Sequence, residues 1–269
     1  MSDQRDYVLG TQDEELDRLG IQHQIWRSQA YRIWERAKFV RGDRVLDVGC
    51  GPGFATADLS ALLGPGGSVR GIDASSKFVD RVKSLKLPNV QVSVGDVQAL
   101  NDQLSAEAFD GAYCRWVLCF VPDSQRVIDG VARALKRGGR FAIQDYYNYS
   151  AIKLAPKSEI FARVIRAVDD SWRSHGGDPD IGCRMPELLD RAGLDVAHLK
   201  PIVRIGRPDD SIWQWPTTFF GIFVPTLVKT GFLTVDEQRA FEREWQARSS
   251  DKNAFFSSPP MVDVIAVKR

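Results

Sequence analysis

The chain has 269 residues, 36 Lys+Arg against 35 Asp+Glu, and a formal net charge of +1. So even a balance gives no broad basic field, which argues against nucleic acid or an anionic membrane surface as a partner. The length suffices for a full core in one or two domains.

Residues 1–10 look irregular, and Thr11-Gln12-Asp13-Glu14 has the form of a capping box. Leu16, Leu19, His23, Trp26, Ala30, Ile33 and Ala37 follow at helical spacing, predicting an amphipathic helix to about residue 38, bent at Gly20. The apolar run 45–48 then breaks into Gly49, Gly51 and Gly53. That is the pattern of a buried strand, a tight loop and a helix whose first amides face a ligand. Two common nucleotide loops do not fit. The dinucleotide fingerprint needs a third glycine at position 54, which is Phe54, and no G-x-x-x-x-G-K-[ST] occurs.

Further strands are expected at 69–73, ending in Asp73, and at 90–94, followed by Gly95 and Asp96. Helices fit 54–63 and 76–85, a fourth strand 109–115, a helix 124–135, and a fifth strand 140–146 after the Gly138-Gly139 turn. Alternation of this kind implies a parallel sheet covered on both faces. Helices are predicted at 157–175 and 185–192. A strand at 195–205 contains Pro201, which marks an edge or bulge. An aromatic-rich stretch at 212–220 leads into helical patterns to about 247, and 260–267 reads as a strand returning to the sheet. If it does return, 207–258 is an insertion over the site. The expected organisation is a single domain, 1–269: a helical cap (1–40), a core (41–149), the rest of the sheet with its helices (150–206 and 259–269) and a helical lid (207–258).

Cys50, Cys114, Cys119 and Cys183 lack C-x-x-C spacing and read as free thiols. No uncharged stretch reaches about eighteen residues and no apolar leader follows the first residues, so a cytoplasmic location is expected.

The run D-V-G-C-G-P-G at 47–53, I-D at Ile72 and Asp73, G-D-V from Gly95 to Val97 and L-K-R-G-G from Leu135 to Gly139 resemble, in order and spacing, the class I Rossmann-like S-adenosylmethionine-dependent methyltransferases. The likeness is closest to those acting on small molecules. It implies an α/β fold with a seven-stranded, mostly parallel sheet, helices on both faces, and the last two strands antiparallel at one edge. It also implies S-adenosylmethionine as cofactor, S-adenosylhomocysteine as product, and a small-molecule methyl acceptor as partner. By the same resemblance Gly49, Gly51 and Gly53 surround the methionine moiety, Asp73 and Ala74 meet the ribose, and Asp96 with Val97 meets the adenine. Tyr7, in Tyr7-Val8-Leu9-Gly10, resembles a residue that covers the cofactor. Arg115 lies where the family makes backbone contacts to the methionine group; its side chain could reach a carboxylate or serve a structural ion pair. Asp47 could balance the cofactor's amine or tie down the loop.

Methyl transfer is an in-line displacement, for which orientation can supply roughly 7–11 kcal/mol. Candidates for proton handling are Tyr146, Tyr147, Asp145 and His175, the last readable also as the histidine that ends a helix. Trp116, Trp213, Trp215, Phe219 and Phe220 could wall an apolar substrate pocket or form plain core. Cys114-Arg115-Trp116-Val117 stands where a nucleic-acid amine methyltransferase would carry [DN]-P-P-[YF], which disfavours that branch. The three histidines offer no metal-ligand spacing, so no metal is expected. The expected activity is methyl transfer to a small, partly apolar or aromatic metabolite. The rivals are a non-catalytic S-adenosylmethionine-binding regulator and an NAD-dependent oxidoreductase, against which Phe54 argues.

Overall fold

The computed structural model describes residues 13–269, so Tyr7 and the first half of the capping box lie outside the described residues. A long helix, α1 (Asp13–Arg36), continues without a break past Gly20. The glycine is there for contact, since a Cβ would stand 3.1 Å from the Phe54 ring. Four β/α steps and a fifth strand follow: β1 (Arg44–Val48), α2 (Phe54–Leu63), β2 (Ser68–Asp73), α3 (Ser76–Ser84), β3 (Val90–Val94), the short α4 (Leu100–Gln103), β4 (Phe109–Arg115), α5 (Ser124–Ala134) and β5 (Leu135–Tyr146). The fifth strand starts five residues before the predicted Arg140, because Leu135 already pairs with Phe109 and a register shift takes up the glycines.

The second part comprises β6 (Lys153–Ala155), α6 (Glu159–Ser174), α7 (Met185–Arg191), β7 (Leu194–Ile202), β8 (Ile205–Gly206), α8 (Gln214–Lys229), α9 (Val235–Ser249), β9 (Phe255–Ser257) and β10 (Met261–Lys268). The main sheet has seven strands in the order β3-β2-β1-β4-β5-β10-β7. The first five are parallel and β10 is antiparallel to both neighbours. Pro201 sits on β7, the edge strand, where a missing N–H costs least. The predicted strand 195–205 thus divides in two, and its end joins a separate small sheet, β6-β9-β8, that the sequence did not announce.

The strands of β1 are buried on both faces: Val45, Leu46 and Val48 are fully inaccessible. Trp34 and Ile33 of α1 pack on one side with Tyr113 and Ile265, while Val127, Ile128 and Val131 of α5 fill the other. Segment 207–258 is joined to the rest at β9. The Phe256 ring lies edge-on to Trp213 at 5.7 Å, and Trp213 stacks on Trp245 of α9 at 4.9 Å. Phe256→Ala should therefore cost about 3–5 kcal/mol. In urea, circular dichroism and tryptophan fluorescence of that variant should still report one coincident transition, because the helices of 207–258 lack a core of their own.

Candidate active site

The loop after β1 collects the sequence's strongest signals. Gly49, Gly51 and Gly53 all have positive φ, of 67°, 53° and 87°. They differ in what surrounds them. A Cβ on Gly49 would stand 2.5 Å from Val117, and one on Gly53 2.5 Å from Val82, so those two glycines make room for the protein itself. A Cβ on Gly51 meets nothing within 4 Å. The open face of the loop is at Gly51, where a ligand can approach the backbone.

Asp73, at the end of β2, closes this loop from beneath. Its carboxylate accepts the Gly51 N–H at 2.8 Å and the Ser75 N–H at 2.9 Å. Burial raises its pKa, and the two amides offset only part of the rise. Each oxygen keeps a second lone pair, and Ala74 beside it is exposed. Asp96 is exposed and caps the turn Val97–Ala99 by accepting the Gln98 N–H, while Val97 is buried beneath.

Asp47 is 3% exposed and accepts a hydrogen bond from Thr56 Oγ1 at 2.7 Å. Desolvation pushes its pKa up to about 6, opposed by Thr56 and by the charge of Arg115. The Arg115 guanidinium lies 4.9 Å over the Trp116 ring, and its Nη2 contacts His23 Nδ1 at 2.9 Å. Its Nη1 is buried and has no hydrogen-bond partner among the described residues. Trp116 itself has φ 53°, a left-handed backbone unusual for a bulky residue, held by its N–H to Gln144 O at 3.0 Å.

Trp116 also lines a small, partly open cavity whose walls are mostly aromatic. Trp116, Tyr146, Trp215 and Phe219, named from sequence, line it. Tyr149, Trp172, Phe120 and Phe220 complete the aromatic wall, and Arg18 with Gln22 forms its polar end. Arg18 is 3% exposed and paired with Glu15 at 2.6 Å; Gln22 Oε1 accepts from both Arg18 Nη1 and Trp215 Nε1 at 2.9 Å. Of these, only Phe220 had been singled out. Trp172 and Tyr149 carry no local signal, because an inward aromatic on an amphipathic helix looks the same whether it meets core or cavity.

Several expected residues stand elsewhere. Trp213 does not line the cavity: it is 5% exposed, stacks on Trp245 and donates Nε1–H to Ser249 Oγ at 3.0 Å. His175 is exposed at the end of α6, with Nδ1 2.7 Å from Ser171 O, and is not among the residues that line the cavity. Tyr147 is not among the residues that line the cavity; it packs against the main core, and its backbone carbonyl accepts from Cys183 Sγ. Asp145 is fully buried and turned toward backbone, accepting the Cys119 and Tyr146 N–H groups at 3.3 and 2.9 Å. Among the described residues no group of three or more His, Cys, Asp or Glu side chains could hold a metal ion. No helix among them is long and apolar enough to cross a membrane.

The buried Asp47 makes a pH-dependent prediction. Its folded pKa stands above the unfolded value, so the stability it contributes is present below about pH 4 and is lost as pH rises through about 6. Asp47→Asn, which can still accept from Thr56, should leave the ligand-free protein's stability unchanged near pH 4. At pH 7 the variant should be about 1–3 kcal/mol more stable than the wild type by denaturant titration.

The family described as "Methyltransferase domain" (Methyltransf_31) matches residues 39–175, which span β1 to the end of α6. An uncharacterized 37.1 kDa protein in transposon TN4556 of Streptomyces fradiae is 32% identical over 168 residues, covering 62% of this chain and 47% of its own length. Trans-aconitate 2-methyltransferase of Deinococcus radiodurans is 27% identical over 178 residues, 64% of this chain and 67% of its own. The alignments thus take in between about half and two thirds of those relatives. Geranyl diphosphate C-methyltransferase from Streptomyces coelicolor, solved with S-adenosyl-L-homocysteine, superposes with a TM-score of 0.57 over 92% of this chain and 77% of its own, at 16% identity. With the loop, the two strand-end acids, the strand order and the family match in agreement, the chain belongs to the class I, Rossmann-like methyltransferases that use S-adenosylmethionine.

Proposed function

We propose that this chain transfers the methyl group of S-adenosylmethionine to a small, partly apolar or aromatic acceptor held in the aromatic cavity. The observation that carries the reading is the place of Trp116. One side of it closes the cavity, while its neighbours Arg115 and Val117 belong to the glycine-loop site. The two sites share a single wall, at the strand ends where this fold class binds its ligands. The name of one relative, trans-aconitate 2-methyltransferase of Deinococcus radiodurans, supports a small acceptor.

The cofactor supplies a methyl group on a positively charged sulfur, open to attack from the side opposite the sulfur. The chain's residues bind and orient. Asp73, with its free lone pairs, accepts from the two ribose hydroxyls, and Asp96 and Val97 meet the adenine. The open face of Gly51 receives the methionyl arm, and Asp47 balances its ammonium group. Burial holds the Tyr146 and Tyr149 phenols well above the ordinary tyrosine range, with desolvation the main cause. Both stay protonated at neutral pH, so they can donate a hydrogen bond to an acceptor atom and do not take its proton. With Tyr147 and His175 outside the cavity, the rate rests on alignment of acceptor, methyl carbon and sulfur more than on a base. Trp172, Phe219 and Trp215 exclude water and grip the acceptor's apolar body.

Calorimetric titration with S-adenosylmethionine, S-adenosylhomocysteine and NAD tests the cofactor site, and labelled methyl transfer to a panel of phenols, quinols and amines tests the acceptor class. Binding of NAD alone would sink the proposal. Gly51→Ala, whose methyl enters open space and meets only the strain of a left-handed backbone, about 1–3 kcal/mol, should keep the fold yet weaken S-adenosylhomocysteine binding. Gly49→Ala should instead lower thermal stability through its clash with Val117. Asp73→Ala should weaken the cofactor by roughly 1.5–3 kcal/mol. Phe219→Ala should raise the acceptor KM and leave cofactor affinity unchanged in the same calorimetric assay.

A further inference from the structure

Arg115 is tied to the cap helix by a relay that none of the assignments above explains. His23 of α1 sits between two charged groups, with Nε2 3.0 Å from Asp58 Oδ2 on α2 and Nδ1 2.9 Å from Arg115 Nη2 at the end of β4. Asp58 also takes two hydrogen bonds from Arg27, at 2.6 and 2.7 Å. Desolvation would raise its carboxyl, but His23 and Arg27 hold it well below the usual range. It is therefore ionised and can only accept, while a guanidinium can only donate. These neighbours leave His23 one form: neutral, donating Nε2–H to Asp58 and accepting from Arg115 at Nδ1. Burial lowers its pKa, which favours the same form.

The consequence lies at the other end of Arg115. With Nη2 held by His23 and the guanidinium carbon 4.9 Å from the centre of the Trp116 ring, Nη1 is left buried and without a hydrogen-bond partner among the described residues. Asp47 feels its charge but gives its oxygen to Thr56. An unpaired cationic donor in that position is costly unless an anion completes it. A carboxylate has the matching geometry and charge.

We propose that His23 is a positioning residue that aims Arg115 Nη1 at the α-carboxylate of the cofactor's methionyl arm. The inference rests on the cofactor reading above and adds to it a side-chain contact and the link that holds it. It also gives α1 a part in cofactor selection: Asp58 anchors the histidine, and the histidine anchors the arginine.

The test uses two ligands that share the nucleoside. S-Adenosylhomocysteine has the amino-acid arm, and 5′-methylthioadenosine lacks it. In calorimetry on the full chain, His23→Leu should weaken S-adenosylhomocysteine roughly 10- to 100-fold. Its affinity for 5′-methylthioadenosine should change by less than about twofold. His23→Asn, whose amide oxygen can stand near the position of Nδ1 and accept from Arg115, should recover most of the loss. Arg115→Gln should reproduce the selective loss, which keeps the test available if His23→Leu does not fold. Equal weakening of both ligands would overturn the proposal and reduce His23 to a fastening of the cap helix. Undiminished S-adenosylhomocysteine binding in either His23→Leu or Arg115→Gln would overturn it while leaving the cofactor site standing. A wild-type protein that binds neither nucleoside would remove the cofactor reading itself, and this proposal with it.

Discussion

The hydrogen bond from the Gly51 N–H to Asp73 decides the shape of the site. It joins the loop after one parallel strand to the last residue of the next, so the loop cannot move independently of the sheet. Parallel strands end together on one side, and everything that reads as chemistry sits at that side: the glycines after β1, Asp73 after β2, Asp96 after β3, Arg115 and Trp116 after β4, Tyr146 at the end of β5. The carboxylate orders the two amides, and those amides offset part of what burial costs the carboxylate. A site assembled this way is preorganised, which is what a reaction governed by alignment requires.

Two different materials meet at Trp116. On the loop side the surroundings are charged and hydrogen-bonded, with Asp47, Thr56, Arg115 and His23 each committed to a named partner. On the cavity side they are rings, with Trp116 stacked between Tyr146 at 6.2 Å and Trp215 at 6.1 Å. The polar half suits a cofactor bearing both charges of an amino acid, and the aromatic half suits an acceptor with little charge. The left-handed backbone of Trp116 turns the chain between them, a strain that the Gln144 carbonyl and the stacked rings hold in place.

The sequence was most legible where function depends on local backbone. The glycine spacing, the strand-end acids, the strand–helix alternation and the return of the last strand are all short-range patterns, and the observed order of elements follows them closely. It was least legible where side chains from distant segments converge. Trp213 and Trp215 look equivalent in the sequence, yet two residues around a helix is about 200°, so one turns into the α9 core and the other into the cavity. His175 between a serine and glycines resembles a mobile base, but the helix end it closes uses its ring nitrogen. Arg18 and Gln22 were unreadable for another reason. Each is a polar residue on an amphipathic helix, and only the packing of α8 against α1 turns that polar edge inward.

The place of β10 bears on how the protein is made. It lies between β5 and β7 although it is the last of the described strands in chain order, and among the described residues β7 pairs with it alone. During synthesis from the N-terminal end, β7 emerges complete while the chain from Ile202 to Met261 is still to come. At about 5–20 residues per second that leaves a bare strand for roughly 3–12 s. Its exposed Val196 and Leu199 are then on offer to any other unpaired edge nearby. The charged Asp195 and Lys200 and the missing N–H of Pro201 are features that discourage such pairing, so β7 carries its own guard for the interval when the nascent chain cannot yet supply the strand it waits for.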